Sequence, residues 1–273
     1  MQTGYYSAAA GMVAQFNRLD TISNNLANVN TNGFKEDNTV VGDFMRVFKE
    51  ARDELPHANH TKDGAQFFNR AMTKAPQIVE AYTDHSVGTI QSTSNTMDFA
   101  LSKEGLYFAV NTPNGVRLTR DGSFTINDEG KLFTKQGYEV LPQDYQSTQN
   151  SISFNTVDSV VSVDKDGQIM TNLPNSVKMG VSSKLFIAQP DNVNLLVKEG
   201  DNLFKYEGAE NLKNIENSGA VRQGYLEKSN VNAVKMMTQM IETNRLVGMY
   251  QKVMNSQMDD MNNDAINKLA KKA

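Results

Sequence analysis

Few residues in this sequence have the types and the spacing that metal binding or catalysis requires. His57 and His60 lie three residues apart, so both could reach a metal ion from one side of a helix. The neighbouring Pro56 and Asn59 favour a loop at this point, and no third ligand lies nearby in the sequence. We therefore expect no metal site.

Two acidic segments match functional sites only in part. The run Asp164-Lys165-Asp166-Gly167 begins like a calcium-binding loop but lacks the third acidic position and the late glutamate. Asp121, in Arg120-Asp121-Gly122, has the residue type of a catalytic acid. Because Asp-Gly pairs are typical of tight turns, we predict that both segments are turns. With no glycine-rich phosphate-binding loop either, we expect no enzyme and no cofactor.

Composition excludes several other classes of function. The chain has 273 residues, a net charge of −4 and a pI near 5.5, with Lys and Arg spread along it, which argues against nucleic acid or a polybasic membrane surface. It has no cysteine, so disulfides and thiolate sites are excluded. No apolar run is long enough to cross a bilayer, so we expect no direct membrane insertion. The first seventeen residues contain no Lys or Arg, so we expect no cleaved secretory signal.

The N-terminal stretch carries one narrow apolar stripe. Its members recur at alternating steps of three and four residues: Met12, Phe16, Leu19, Ile22 or Ser23, Leu26, and Val29 or Asn30. This spacing predicts an amphipathic helix. A stripe this narrow suits a coiled-coil partner better than a globular core.

An asparagine-rich run follows this stripe, with Asn25 and Asn28 among its members, and leads to Gly33 and Phe34. Asparagine is a mediocre helix former, so the run indicates the end of the helix, with Gly33 available for a left-handed cap. Alternatively, the amides form a polar ladder with a neighbouring backbone or subunit, since each offers two donors and an acceptor. The sequence leaves both interpretations open.

A second helical pattern lies near the C-terminus. Met240, Val247, Met254 and Met261 stand seven residues apart, and apolar residues flank them: Val234, Met237, Ile241, Tyr250 and Met258. This pattern predicts a second long seam that runs to about residue 269. Methionine adapts to irregular surfaces, so the seam could pack against several non-identical neighbours, or methionine could simply fill a core.

The middle of the chain has the pattern of β-structure. Short apolar runs lie between Asx-Gly and Glu-Gly pairs, which are typical of hairpin turns. The predicted strands are 99–101, 107–110, 116–118, 124–126, 131–133, 138–141, 152–154, 160–163, 169–170, 185–188 and 203–206. The predicted turns contain Gly115, Gly122, Gly130 and Gly167.

These patterns together predict an α+β fold. We expect the N- and C-terminal helices to pair as a coiled coil, with a mainly antiparallel β domain inserted between them, because neither apolar stripe is stable in water alone. The predicted domains are a terminal helical domain of residues 1–35 and 228–273, an extended connector of residues 36–90, and a β-rich outer domain of residues 91–227. The connector includes a possible short helix at residues 43–55.

Several segments also resemble one known family. Residues 21–35, Thr-Ile-Ser-Asn-Asn-Leu-Ala-Asn-Val-Asn-Thr-Asn-Gly-Phe-Lys, resemble the N-terminal signature of the flagellar basal-body rod and hook proteins. Residues 224–232, Gly-Tyr-Leu-Glu-Lys-Ser-Asn-Val-Asn, resemble the second signature, which leads into the C-terminal helix. Residues 91–101, 119–124 and 135–138 are similar to further motifs of the family, in the expected order.

This resemblance implies a structural role in the bacterial flagellum. Members self-assemble with other axial proteins into the helical rod, the drive shaft that transmits motor torque to the hook. The implied partners are copies of this chain, other proximal- and distal-rod proteins and the flagellar type III export apparatus. The implied location is the basal body, where the rod spans the periplasm, reached without cleavage of a signal peptide.

The length and the short β region favour a rod component over a hook protein. Residues 40–89 and the run at residues 245–250 look little like the distal-rod type, so the proximal-rod type is the preferred interpretation and a distal-rod or hook-type protein is the alternative. Two other classes stay open: a non-polymerising export adaptor, and a hydrolase of cell-wall polymers with paired carboxylates in a groove.

Assembly contacts are expected along both helices and their signatures. The candidate interface residues are Met12, Phe16, Leu19, Ile22, Asn25, Leu26, Asn28, Val29, Gly33, Phe34, Val234, Met237, Met240, Ile241, Val247, Met254, Met258 and Met261.

Overall fold

A computed structural model of the protein describes residues 2–43, 76–145, 151–154, 161–172, 179–208, 212–215 and 218–270. The chain forms two compact units. The first, called the helical unit, comprises Met1–Ala27, Asp37–Tyr82 and Asn232–Ala273. The second, called the β unit, comprises Asn28–Glu36 and Thr83–Val231. The α+β class and the mainly antiparallel β domain predicted from the sequence are confirmed.

The helical unit contains the two terminal helices. Helix α1 spans Gln2–Ala27 and helix α2 spans Ala233–Ala270. The helices contact each other, and the Tyr250 side chain of α2 packs against the backbone of α1 at Gly11. A Cβ atom at Gly11 would lie 2.6 Å from the ring of Tyr250, so the absence of a side chain makes room for that ring. The two strands β1 (Asp37–Asp43) and β2 (Pro76–Thr83) form a small sheet.

The end of α1 supports both interpretations of its asparagines. The helix ends at Ala27, as an asparagine-rich run would make it do. Asn25 is buried, and its side-chain amide bonds to both backbone groups of Asp37: Nδ2 donates to the carbonyl at 2.7 Å and Oδ1 accepts from the N–H at 2.9 Å. The predicted amide-to-backbone contact is therefore present at Asn25.

The β unit is built from short antiparallel strands. Their bounds are β3 (Ile90–Ser92), β4 (Phe99–Leu101), β5 (Tyr107–Thr112), β6 (Gly115–Thr119), β7 (Phe124–Ile126), β8 (Leu132–Thr134), β9 (Glu139–Val140), β10 (Val161–Val163), β11 (Gln168–Asn172), β12 (Met179–Lys184), β13 (Ile187–Gln189), β14 (Leu196–Glu199), β15 (Leu203–Tyr206), β16 (Lys213–Asn214), β17 (Val221–Gln223) and β18 (Tyr225–Glu227). The largest sheet has the order β14-β15-β6-β5-β9-β8-β7, with β13 and β16 joined to it through β5. A separate sheet has the order β10-β11-β12, and the pairs β17-β4 and β18-β3 join residues that are far apart in the sequence.

Strand β5 separates two apolar cores. Phe108 and Val110 belong to one core, while Tyr107 and Ala109 belong to the other. Successive side chains of a strand point to opposite faces, so a strand that is covered on both faces reads as an uninterrupted apolar run. This accounts for the sequence Tyr-Phe-Ala-Val at residues 107–110.

Most of the predicted strands are confirmed within a residue or two, and those at 99–101, 124–126 and 203–206 are confirmed with the predicted bounds. Ser153 takes part in an isolated bridge with Lys131 in place of the strand predicted at residues 152–154. Of the four predicted turn glycines, Gly115, Gly130 and Gly167 have positive φ, whereas Gly122 does not. The short helix predicted at residues 43–55 falls outside the described residues except for Asp43, which ends β1.

Candidate functional site

The inward face of α1 differs from the predicted apolar stripe. The buried residues of this helix are Ala8, Gly11, Ala14, Gln15, Ile22 and Asn25. Of the predicted stripe, Ile22 is buried, while Met12, Leu19 and Leu26 are half-buried and Phe16 is exposed. Small and polar residues thus occupy much of the contact side of α1, and the larger apolar residues lie beside it.

The predicted seven-residue repeat of α2 lies on or beside its buried face. Val247 is buried, and Met240, Met254 and Met261 are half-buried. Met236 and Thr243 are also buried, although neither was among the predicted interface residues. Asn25 Nδ2 lies 3.9 Å from the sulfur of Met236, which places these two residues on the facing sides of α1 and α2.

A second group of predicted residues on α2 is exposed. Val234 is 74%, Met237 51% and Ile241 62% exposed, and Met258 is also exposed. The first three recur at steps of three and four and so share one side of the helix. We call Val234, Met237 and Ile241 the outer strip of α2. An apolar strip of this kind on a solvent-facing helix is typical of a surface that contacts another molecule.

The remaining predicted residues belong to the β unit. Asn28 and Val29 are half-buried, whereas Gly33 and Phe34 are buried. Gly33 has a φ of +68°, so its left-handed conformation is as predicted, but α1 already ends at Ala27 and Gly33 does not cap that helix. Its backbone packs directly against that of Arg120, since a Cβ atom at Gly33 would lie 2.4 Å from the carbonyl carbon of Arg120.

Three charged side chains form a buried cluster in the β unit. Lys35 Nζ lies 2.6 Å from Glu227 Oε1, and Arg120 Nη2 lies 2.6 Å from Glu227 Oε2. The Lys35 and Glu227 side chains are fully buried and that of Arg120 is 1% exposed. We call Lys35, Arg120 and Glu227 the ion cluster. It contains two cations and one anion.

Backbone groups add further hydrogen bonds to the ion cluster. Arg120 Nη1 donates to the carbonyls of Lys103 and Leu106, and Nη2 donates to that of Leu101. The N–H of Gly88 donates to Glu227 Oε1 at 2.9 Å. The cluster therefore connects the loop after β4, the segment before β3 and the end of β18.

Burial lowers the pKa of the Lys35 amino group, and the nearby Arg120 charge acts in the same direction, against the attraction of Glu227. Between this lowered pKa and the ordinary lysine value of 10.5, the unfolded chain binds more protons than the folded chain. The free energy of unfolding then rises with pH over that interval. Burial in the folded protein thus disfavours the charged form of Lys35 relative to the same group in water.

We expect the stability difference between the wild type and Lys35→Met to grow as the pH rises towards 10.5, because only the wild type gains from deprotonation of this amine. Urea denaturation of both proteins at a series of alkaline pH values measures this difference, and titration of other groups cancels between them. A difference that shrinks with rising pH would show that Glu227 outweighs burial at this amine.

Sequence reasoning did not identify the ion cluster. Its members lie at positions 35, 120 and 227, so no local periodicity connects them. Each of the three does lie within one of the family-like segments, at residues 21–35, 119–124 and 224–232. The signal that could have identified the cluster is that three separate family-like segments each contain one of these charged residues.

The two acidic segments are turns, as predicted. Asp164 Oδ1 accepts hydrogen bonds from the N–H groups of Asp166 and Gln168, each at 2.9 Å. Asp121 Oδ1 accepts from both the N–H and the hydroxyl of Ser123, at 3.0 and 2.6 Å. Burial raises the pKa of the Asp121 carboxyl, which these hydrogen bonds oppose.

The described part of the chain contains neither a metal site nor a membrane-spanning helix. No group of three or more His, Cys, Asp or Glu side chains within it is placed to hold a metal ion. His57 and His60 lie outside the described residues. None of the helices in the described ranges is long and apolar enough to cross a membrane.

Three models of flagellar protein families match parts of this chain. The family model for the flagella basal body rod protein matches residues 6–35. The model for the flagellar hook protein FlgE/F/G D1 domain matches residues 100–171, and that for the flagellar basal body rod FlgEFG protein C-terminal region matches residues 222–268.

Individual relatives match over nearly the whole chain. The flagellar basal-body rod protein FlgG of Agrobacterium fabrum is 31% identical over 254 residues, which cover 90% of this chain and 92% of the relative. This chain belongs to the flagellar basal-body rod protein family. FlgG of Buchnera aphidicola subsp. Baizongia pistaciae is 30% identical over 90% of this chain and 92% of the relative. FlgF of Rhizobium meliloti is 30% identical over 90% and 89%, respectively.

Membership of the rod family confirms the predicted structural role in the flagellar basal body. The family is structural and not enzymatic, so neither the cell-wall hydrolase nor the export adaptor is favoured. Rod family proteins assemble with other flagellar rod and hook proteins. Relatives named FlgG and relatives named FlgF match this chain at similar identity.

Proposed function

We propose that this rod subunit assembles through the outer sides of its two terminal helices, which pair as a coiled coil. The observation that carries the proposal is the outer strip of α2, together with exposed Tyr6, Val13 and Phe16 on α1. These apolar side chains are not satisfied by the contact between α1 and α2. Contacts with neighbouring subunits would remove them from water.

Assembly by such contacts produces a helical filament. A strip on one subunit that contacts a different surface of the next subunit makes a heterologous interface, and interfaces of this kind that do not close produce a helical filament. The proposed assembly partners are copies of this chain and other proximal- and distal-rod proteins. A rod built in this way would act as the shaft that carries motor torque to the hook.

The remaining predicted interface residues keep this proposed role. Phe16, Met237, Ile241 and Met258 are exposed and suit intermolecular contacts directly. Met12, Leu19, Leu26, Met254 and Met261 are half-buried and could contact both the partner helix and a neighbouring subunit. The three-part division of the chain into terminal helical domain, connector and β-rich domain also stays a prediction.

We also propose how this subunit is exported and where in the rod it lies. We propose export through the flagellar type III apparatus and a place in the part of the rod that spans the periplasm. The departures at residues 40–89 and 245–250 support a proximal position, with a distal position as the alternative. Cryo-electron microscopy of basal bodies that carry a tagged copy of this subunit would test the position directly.

We expect Ile241→Asp to abolish incorporation into rods while leaving the isolated protein as stable as the wild type. The side chain is 62% exposed, so a carboxylate is hydrated in the free subunit but would be desolvated in a subunit contact. Electron microscopy of basal bodies from cells that produce only the variant measures incorporation, and thermal unfolding of the purified protein measures stability.

The matched control is Gln251→Glu, which adds the same charge at an exposed polar position of the same helix. Rods should form normally with this variant. Normal rods with Ile241→Asp would contradict the assignment of the outer strip. Loss of stability in the purified Ile241→Asp protein would show that the residue supports the fold instead.

A further inference from the structure

Residues 28–36 contact the rest of the β unit in the manner of a bound peptide. They belong to this unit, yet no strand lies within them: α1 ends at Ala27 and β1 begins at Asp37. Gly33, Phe34, Lys35 and Glu36 are all buried. We call residues 28–36 the docked segment. It joins the β unit through individual contacts and not through a sheet.

The backbone of the docked segment bonds to the β unit on either side of Lys35. The N–H of Gly33 donates to the Glu227 carbonyl at 2.8 Å. The N–H of Glu36 donates to Asn230 Oδ1 at 2.7 Å, and the Glu36 carbonyl accepts from the N–H of Asp84 at 2.8 Å. These bonds fix the path of the segment independently of its side chains.

The site also contacts Asn32 through both its backbone and its side chain. Asn202 Nδ2 donates to the Asn32 carbonyl at 2.7 Å, and Lys228 Nζ donates to Asn32 Oδ1 at 3.0 Å. Asn202 lies in the turn between β14 and β15 with a φ of +60°, a conformation that few side chains adopt. This turn is held in place by Thr119, whose hydroxyl donates to the Asn202 carbonyl.

Lys198 of β14 contacts two further residues of the segment. Its ammonium lies 4.1 Å from the centre of the Phe34 ring, which is a cation–π contact. The same ammonium donates to the Lys35 carbonyl at 2.6 Å. An aromatic residue followed by a residue whose carbonyl accepts a hydrogen bond therefore fits this position.

The side chain of Lys35 enters the buried end of the site. Its ammonium donates to the Ser86 carbonyl at 2.5 Å and to Glu227 Oε1 at 2.6 Å. A residue without an amino group at this place would leave the Glu227 oxygen and the Ser86 carbonyl without their shared donor. The site thus selects a long side chain with a donor at its end.

We propose that the β unit contains a peptide-binding site for an extended Asn-Gly-aromatic-Lys sequence, which the chain's own residues 32–35 occupy. The site consists of Lys198 on β14, the β14–β15 turn, residues 84–88 and residues 227–230. All strands from β3 to β18 lie outside the docked segment. Under this proposal, docking is a binding step separate from formation of the sheets. The proposal concerns the dilute protein and does not depend on rod assembly.

The first test uses the full-length chain with residues 32–35 replaced by Ser-Gly-Ser-Gly, so that the site is empty. A fluorescent peptide of residues 28–36 is added, and binding is followed by anisotropy. We expect saturable binding of one peptide per replaced chain, a rise in the melting temperature on binding, and no binding to the wild type, whose site is occupied. A peptide with methionine in place of lysine should bind at least about tenfold more weakly.

Several results of this test would overturn the proposal. If the circular dichroism spectrum of the replaced chain shows no β structure, docking and sheet formation are one event. A folded replaced chain that binds no peptide would show that no separate site exists. Equal binding of the methionine peptide, or equal binding to the wild type, would place the peptide on another surface.

The second test keeps every residue of the segment and measures its release. Trypsin cleaves after Lys35 only when the segment leaves the site, because this side chain is fully buried. We expect Lys198→Met to speed cleavage after Lys35 by about tenfold, since it removes the charged donor to the Lys35 carbonyl. Cleavage after Lys131, which reports opening of the rest of the unit, should not change.

The matched control for the second test is Lys205→Met on the adjacent strand β15. Lys205 is exposed and pairs with Glu207, away from the docked segment. This variant should leave cleavage after Lys35 at the wild-type rate. Parallel acceleration at Lys35 and Lys131 in Lys198→Met, or an equal effect of Lys205→Met, would overturn separate docking.

Discussion

Replacing Glu227 by glutamine is expected to lower the free energy of unfolding by about 3–5 kcal/mol, the largest effect of any single change in the ion cluster. The change leaves Lys35 and Arg120 buried beside each other with no counter-charge. Urea denaturation followed by circular dichroism measures the loss.

The charge count of the cluster makes this prediction specific. Lys35→Met removes one of two cations and leaves Arg120 paired with Glu227, so its loss should be smaller, about 1–3 kcal/mol. The matched control is Glu199→Gln, the same chemical change in the ion pair with Arg117, where the Glu199 side chain is 37% exposed. We expect little loss there, because solvent screens this pair. A larger loss for Lys35→Met than for Glu227→Gln would contradict the assignment of Glu227 as the central charge.

Gly33→Ala is expected to destabilise the β unit by about 2–4 kcal/mol. Two costs add at this position. The φ of +68° is unfavourable for alanine, and the new Cβ would meet backbone atoms of Arg120 and Asp121 at 2.4 and 2.5 Å, which cannot move aside as a side chain could. Thermal or urea unfolding of the purified protein measures the sum.

The variant Gly105→Ala measures the backbone strain without the steric collision. Gly105 has a similar φ of +73°, but a Cβ atom there would meet no atom within 4 Å, so only the backbone strain applies. We expect a loss of about 1 kcal/mol for this variant. Equal losses at Gly33 and Gly105 would mean that the contact between Gly33 and the Arg120 backbone contributes nothing.

The sequence predicted the elements of this fold well where a local pattern existed. The two helices and the strands at residues 124–126 and 203–206 follow directly from apolar periodicity and turn residues. Strands β1 and β2 were not predicted as strands, because residues 36–90 mix charged, aromatic and proline residues without alternation.

The sequence was less informative about which side of a helix faces inward. Ala8, Gly11 and Gln15 form part of the contact side of α1, yet none of them contributes to an apolar pattern. A side chain at position 11 would collide with the Tyr250 ring, which favours glycine there, whereas the larger Phe16 is exposed and Met12 is only half-buried. Periodicity therefore identified the helix but not its orientation.

The ion cluster could not be derived from local patterns at all. Lys35, Arg120 and Glu227 come together only because β18 pairs with β3 and residues 28–36 lie beside them. A single charged residue in a sequence usually indicates a solvated surface position. Only the folded chain shows that these three are buried.

The contact between Asn25 and Asp37 has a further consequence for the first strand of the small sheet. Strands whose backbone groups are free at a sheet edge can pair with strands of other chains, which leads to aggregation. The Asn25 amide occupies both the N–H and the carbonyl of Asp37, as the backbone of an adjoining strand would. The Asn25 side chain thereby prevents a strand of another chain from pairing with the start of β1.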